Sequence, residues 1–413
     1  MSRTPRLLVN DLAGHPFQID LSSELADQGY DVHHAWSVTT VTPHAAFAAR
    51  PNLTLHPIDI GHPFEKYAVV RRLADELRYG WASVRLAQRV EPDAVLTSNV
   101  PLVSLLVIWA ACRVRRTRWT LWLQDIQAGL VGHSLAGRST VARVAAALER
   151  FLICRADTVV AISEEFRNDA IALGADPDKV VAIENWAPLA ELPRRPRDNA
   201  WAERQGLGDR FRFVYSGTLG RKHSPELLLA VADAVPEATV VVVSEGEGMD
   251  WLAEQQQQLP RPNMVLLPFQ PFDELPDVLG AADVLVTLLD PAAGRYSVPS
   301  KTLSYLCAGR PVIASVPADN AAARLVAVRA RAGIVVEPGD ADAIVAAARH
   351  LFSDHAARSA FGVRARRYAE DTFDSARIAA RFLAVLQLGT PPVITPVITP
   401  VVAQGADPMA GAA

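Results

Sequence analysis

One pattern constrains this chain more than any other. Short β-branched runs alternate with amphipathic or wholly apolar stretches at helical spacing, from Arg6 to beyond Gly333. Parallel strands need a long crossover to return to the same edge of a sheet, and helices supply it, so the alternation predicts α/β architecture. Strands are expected at Leu7–Val9, Asp31–Trp36, Leu53–Ile60, Asp93–Thr97, Arg118–Leu123, Thr158–Ile162 and Lys179–Ile183. The pattern then restarts at Phe211–Tyr215, Ala238–Val243, Met264–Leu267, Asp283–Leu288, Pro311–Ala314 and Gly333–Val336. Between the two sets lies LAELPRRPRDNA, whose prolines and charges read as an interdomain linker. A single core stops growing at roughly 250–300 residues. The 413 residues therefore divide into an N-terminal domain over 1–192 and a second over 193–375, with a helix over 376–388 returning to the first. Residues 389–413, with their repeated PVITPVITPV, read as a disordered tail.

Composition excludes some functions. No uncharged apolar run reaches the ~20 residues that span a bilayer, and MSRTPRLLVND has no signal-type apolar core, so a cytoplasmic protein is expected. The net charge of -4 argues against bulk nucleic-acid binding. Cys112, Cys154 and Cys307 are far apart in apolar helical contexts and are expected to be buried thiols. The pairs Asp176/Asp178 and Asp340/Asp342 sit in turns, where capping explains them, and no metal site or cofactor is expected. Two arginine clusters stay open. The row Arg71, Arg72, Arg78, Arg85, Arg89 is either a solvated helix face or a contact with anionic lipid at the inner membrane surface. Arg113, Arg115, Arg116 and Arg118, near Trp109, Trp119 and Trp122, either close a core helix or form a membrane-surface patch.

In open α/β sheets ligands meet the carboxyl ends of strands. There the chain offers the Gly14-His15-Pro16 turn, Gln124-Asp125, Ser216-Gly217-Thr218 with the basic cluster Arg221-Lys222-His223, and Glu245-Gly246-Glu247-Gly248. Asp125 either meets a substrate or caps its loop. The stretch Pro299-Ser300-Lys301 opens a short helix that Gly309 closes, and a helix start presents unpaired N–H groups and a positive dipole end. Ser300 alone could be an ordinary cap. Together with Lys222 and Lys301, such a start would hold a diphosphate and stabilise charge developing on it as a leaving group.

The order of motifs resembles a family 4 glycosyltransferase, most clearly from Ala156 to about Phe373. ADTVVAIS at Ala156–Ser163 is similar to the family's AD-x-VIAVS, and KVVAIEN at Lys179–Asn185 to KV-x-VIPN. Tyr215-Ser216-Gly217-Thr218-Leu219 with Lys222, and Glu245–Gly248 in place of GDGP, follow in order. Pro299–Ala314 resembles the PSK…AGRPVIA variant of the bacterial exopolysaccharide and lipopolysaccharide branch, of colanic-acid type.

The resemblance implies a GT-B fold, two Rossmann-like domains facing a central cleft. It implies a retaining, metal-independent hexosyl transfer from a nucleotide-sugar donor to a glycan or polyprenyl-linked acceptor, with the nucleotide-sugar a substrate rather than a cofactor. Lys222 and the Pro299–Lys301 start would meet the diphosphate, Phe269 and its neighbours the base, and the Gly14-His15 loop the sugar. Lys222, Lys301, Asp125 and His15 are then the catalytic candidates. Gly14, Gly217, Thr218, Arg221, Glu245, Phe269, Pro299, Ser300 and Ser304 are the donor-binding ones. Three departures stand out. Tyr296 and Ser304 occupy the places of two usual glutamates, Thr218 that of a frequent arginine, and Gln124 that of a frequent histidine. The lost glutamates keep open a non-catalytic nucleotide-sugar-binding protein of the same fold, and a nucleotide-sugar epimerase is the third reading.

Overall fold

A computed structural model describes residues 3–39, 50–64, 68–126, 140–289 and 300–389, with Val69 and Lys222 described by backbone only. Pro299, Tyr296 and the tail from 390 lie outside the described residues.

The first sheet is built from β1 (Arg6–Asp11), β2 (Asp31–Ser37), β3 (Leu53–Ile58), β4 (Ala94–Ser98), β5 (Arg118–Leu123), β6 (Thr158–Ala161) and β7 (Val180–Ala182), in the order β3-β2-β1-β4-β5-β6-β7. The second holds β8 (Arg212–Ser216), β9 (Thr239–Ser244), β10 (Met264–Pro268), β11 (Val284–Leu288), β12 (Val312–Ser315) and β13 (Gly333–Val336), in the order β10-β9-β8-β11-β12-β13. Every pairing is parallel. Helices cover both faces, so the central strands are buried on both sides; β4, β8, β9, β11 and β12 have no exposed residue. Both sheets reverse direction at their first strand, and a crevice opens there at the carboxyl ends.

Local chemistry sets the helix boundaries. Ser163 accepts from the Phe166 N–H, Asp340 from Ala343 and Asp374 from Arg377, while Gly309 at φ 65° ends the helix Lys301–Ala308. Asp176 accepts from the Asp178 N–H in a turn. Among the described residues no group of three metal-ligating side chains occurs.

The two halves are tied by hydrogen bonds, ion pairs and the last helix. The segment Leu189–Ala200, expected to be a linker, is ordered: Arg195 pairs with Asp277 at 3.4 Å and Arg197 with Asp283 at 3.0 Å. Arg366 donates to the carbonyls of Leu192 and Cys307, and ion pairs Arg324–Glu165 and Arg329–Glu184 bridge the sheets. The last helix, Ser375–Leu386, packs on the first domain, with Phe382 edge-on to Trp122 at 4.7 Å and Arg381 donating to the Ala182 carbonyl. Cys112 and Cys307 are buried, but Cys154 is exposed, because its helix turns that face outward beside Leu173.

Candidate active site

The crevice between the two sheets has a volume of ≈ 770 Å³. Its first-domain wall begins where β1 ends. Buried Asp11 accepts the N–H groups of Ala13 at 3.1 Å and His15 at 2.6 Å, folding the loop back, and Gly14 takes the left-handed φ of 67° the turn requires. Burial pushes the Asp11 carboxyl up to about 7 against these hydrogen bonds. Gly14 thus shapes the loop, and His15 reaches the crevice. The imidazole stacks on Phe17 at 5.7 Å, and burial lowers its pKa, which keeps it neutral at pH 7. Behind it Phe17, Trp122, Trp186 and Phe382 form one aromatic cluster, and the Trp186 indole donates to Asp20 at 2.7 Å.

The facing wall is made by the second sheet's strand ends. Ser216 ends β8 and Gly217 and Thr218 follow it, Glu245 follows β9, Phe269 to Phe272 follow β10, and Leu288 ends β11 with Leu289 after it. Leu275 and Leu279 add to Phe269, Pro271 and Phe272, giving this end an apolar lining. Gly246, at φ 102°, and Gly248 let the turn after β9 pack on Leu219, whose carbonyl oxygen would lie 2.7 Å from a Cβ at Gly248.

Lys301 is the centre of this wall. It opens its helix, yet its side chain runs back across Gly217 to donate to the Tyr215 hydroxyl and, at 3.3 Å, to the Thr218 carbonyl. Gly217 has a φ of 125°, which favours glycine, and a Cβ there would stand 3.1 Å from the lysine Cε, so the end of the lysine would have to shift. Both partners of the amine are neutral, and burial pulls its pKa down to about 7. Tyr305, one turn on, ties the helix to β8: its hydroxyl accepts from the Ser216 N–H at 2.9 Å and lies 3.0 Å from the Ser216 carbonyl, to which it donates. Ser300 has helical backbone angles and makes no capping bond, so it lines the crevice instead of capping.

Of the expected site residues, His15, Gly217, Thr218, Glu245, Phe269, Ser300, Lys301 and Ser304 share this crevice. Arg221 does not: it pairs with Glu226 at 2.9 Å and stacks on Trp251 at 4.1 Å, and His223 lines the crevice in its stead. His223 Nδ1 accepts from the Gly220 N–H at 3.1 Å. The backbone of Lys222 lies in the turn Arg221–His223, its side chain outside the described residues, as is Pro299. Asp125 lies in a neighbouring cavity of ≈ 270 Å³ with Asn99, Arg72, Glu149 and Trp122. Burial raises it to about 6, and Gln124 beside it is held by Asn185. Sequence reasoning missed Asp11, Tyr215, Tyr305 and Trp186. For Asp11 and Tyr215 their place at a strand end was the available signal, but which way each side chain turns is a tertiary fact.

Residues 19–186 match the glycosyl transferase 4-like domain, and residues 210–354 match glycosyl transferases group 1. The chain belongs to the family 4 glycosyltransferases. Among its curated relatives is a protein of Escherichia coli (strain K12) named as a colanic acid biosynthesis glycosyl transferase, WcaI, 26% identical over 307 residues, 72% of this chain and 74% of that one. Among solved structures, Anabaena HepE in complex with UDP-glucose superposes with a TM-score of 0.69 at 17% identity, covering 92% of this glycosyltransferase and 99% of HepE. Sucrose-phosphate synthase from Thermosynechococcus elongatus gives 0.73 at 16% identity, covering 93% and 98%. These likenesses establish the GT-B fold.

Proposed function

We propose that this glycosyltransferase moves a hexose, with retention of configuration, from a nucleotide-sugar to a glycan or polyprenyl-linked acceptor in cell-surface polysaccharide assembly. The observation that carries the reading is Lys301, held over Gly217 at a helix start inside a crevice large enough for a nucleotide-sugar. The family membership and the name of the Escherichia coli relative support the polysaccharide setting.

The donor's diphosphate would lie on the start of helix Lys301–Ala308, with its base against Phe269, Phe272 and Leu275 and its ribose near Ser304. Lys301 would then leave the Thr218 carbonyl for the diphosphate and stabilise the charge that grows as the sugar departs. Neutral His15, on the opposite wall, can accept or donate a hydrogen bond without adding charge. The acceptor hydroxyl attacks from the face the diphosphate is leaving, and the leaving phosphate oxygen takes its proton. Catalysis then rests on position and on fixed positive charge, supplied by lysine and helix start in the place a metal ion would fill.

The test is nucleotide release from a panel of UDP-, GDP- and dTDP-sugars with a polyprenyl-diphosphate-sugar acceptor. We expect acceptor-dependent release, retained anomeric configuration, and a loss of at least about tenfold in Lys301→Ala and in Lys222→Ala. Unchanged rates in both variants overturn the roles of the two lysines. Ser304 in place of a carboxylate favours one other reading, a binding protein without turnover, which calorimetric binding with no release would support. Conversion of free UDP-sugar without acceptor would instead make it an epimerase.

A further inference from the structure

The helix Val69–Val90 packs one face against the first domain, burying Tyr79, Ser83, Leu86 and Val90. Its opposite face is not polar. Val70, Leu73, Leu77 and Trp81 are 80%, 43%, 43% and 58% exposed and recur at helical spacing, so they form one apolar row on the outside of the molecule. Four arginines, Arg71, Arg78, Arg85 and Arg89, run along one flank of that row. Arg78 pairs with Asp75 at 3.3 Å. Arg71, Arg85 and Arg89 are exposed and make no ion pair or hydrogen bond with any described residue. The neighbouring helix Leu102–Arg115 ends beside this one, with Arg115 3.9 Å from Glu91, and adds exposed Val114 and Arg113.

A solvated helix face has no use for tryptophan and leucine in register, and a core helix would not leave them in water. Antiparallel pairing with a second copy through this face would bring the two arginine rows together across a two-fold axis, which costs free energy. An anionic bilayer surface satisfies both parts at once: the apolar row enters the headgroup and upper acyl region, and the unpaired guanidinium groups meet lipid phosphates. We propose that the outer face of helix Val69–Val90 is a docking surface for an anionic phospholipid bilayer. The chain lies on the membrane there, and no described helix is long and apolar enough to cross it. The helix begins at the crevice end of the domain, where Arg72 lines the cavity that holds Asp125, so a docked chain keeps that cavity close to the lipid surface.

The experiment is sedimentation of the full chain with vesicles of phosphatidylglycerol in phosphatidylcholine, against phosphatidylcholine alone. Two variants accompany it, Leu73→Ser/Leu77→Ser/Trp81→Ser and Arg71→Glu/Arg85→Glu/Arg89→Glu, each checked for native melting. Expected are binding to the anionic vesicles, weakening as salt rises, and a fall of at least about tenfold in each variant. The salt titration of the unaltered chain keeps the test decisive if a variant fails to fold. Absence of binding to anionic vesicles overturns the proposal, and so does binding that neither variant reduces. A dimer of the unaltered chain that dissolves in the serine variant, with vesicle binding unchanged, assigns the face to a second copy and also overturns it.

Discussion

Lys301 has two neutral oxygen partners and a pKa of about 7, so at neutral pH about half of it carries charge. Among the described residues, Glu245, His15, His223, Tyr215 and Tyr305 are the other titratable groups lining or closing the crevice. A diphosphate favours the ammonium form. Above pH 7 its binding must therefore draw in a proton, and affinity falls as pH rises. We expect the apparent donor Kd to weaken as pH rises above about 7, and Lys301→Arg to remove most of that slope, because guanidinium stays charged. Calorimetry in buffers of different ionisation enthalpy measures the proton uptake directly; none in the unaltered chain would contradict it. The same shift affects stability with a definite sign. The folded pKa lies below the unfolded one, so the unfolded chain holds more protons between the two. This residue's contribution makes the protein more stable as pH rises from about 7 toward 10.

At the scale of elements, the site depends on how helix Lys301–Ala308 is seated. Tyr305 is fully buried, and its hydroxyl joins that helix to the end of β8 and, at 3.2 Å, to the Val286 carbonyl of β11. Tyr305→Phe keeps the ring and removes the ties, leaving the Ser216 N–H unpaired inside the protein. A loss of about 1–3 kcal/mol is expected by urea denaturation, with a weaker donor Kd because Gly217 and Lys301 lose their fixed spacing. The strands here were legible from the chain, since β-branched runs bounded by turns have few alternatives. Arg221 and Asp125 were not. Their positions at strand ends were correct, yet Glu226 and Trp251 draw Arg221 aside, and the turn after β5 sends Asp125 into a separate cavity. Sequence spacing identifies the end of a strand but not the direction of a side chain beyond it.

For the molecule as a whole, the last helix crosses back to complete the first domain, and Phe382 fills the space among Trp122, Trp186 and the helix Pro16–Asp27. Phe382→Ala opens a cavity beneath the wall that carries His15. A cost of about 3–5 kcal/mol is expected in chemical denaturation. Because Trp122 and Trp186 sit in that cluster, their fluorescence should report the first domain loosening before the second. Simultaneous unfolding of both sheets at the unaltered midpoint would show that the helix is dispensable.

The alternation of strand and helix, the break near residue 192 and the small residues of the turns are local properties, and the sequence alone determined them: two parallel α/β domains with a ligand crevice at their strand ends. The tertiary structure decided what lines the crevice. Lys301 acquires its low pKa only when its side chain is laid over Gly217 against Tyr215, and the arginine row of helix Val69–Val90 gains a purpose only when the apolar row beside it is seen to face outward. Burial and direction are set by residues distant in the chain, and desolvation, the force behind both, has no counterpart in a linear pattern.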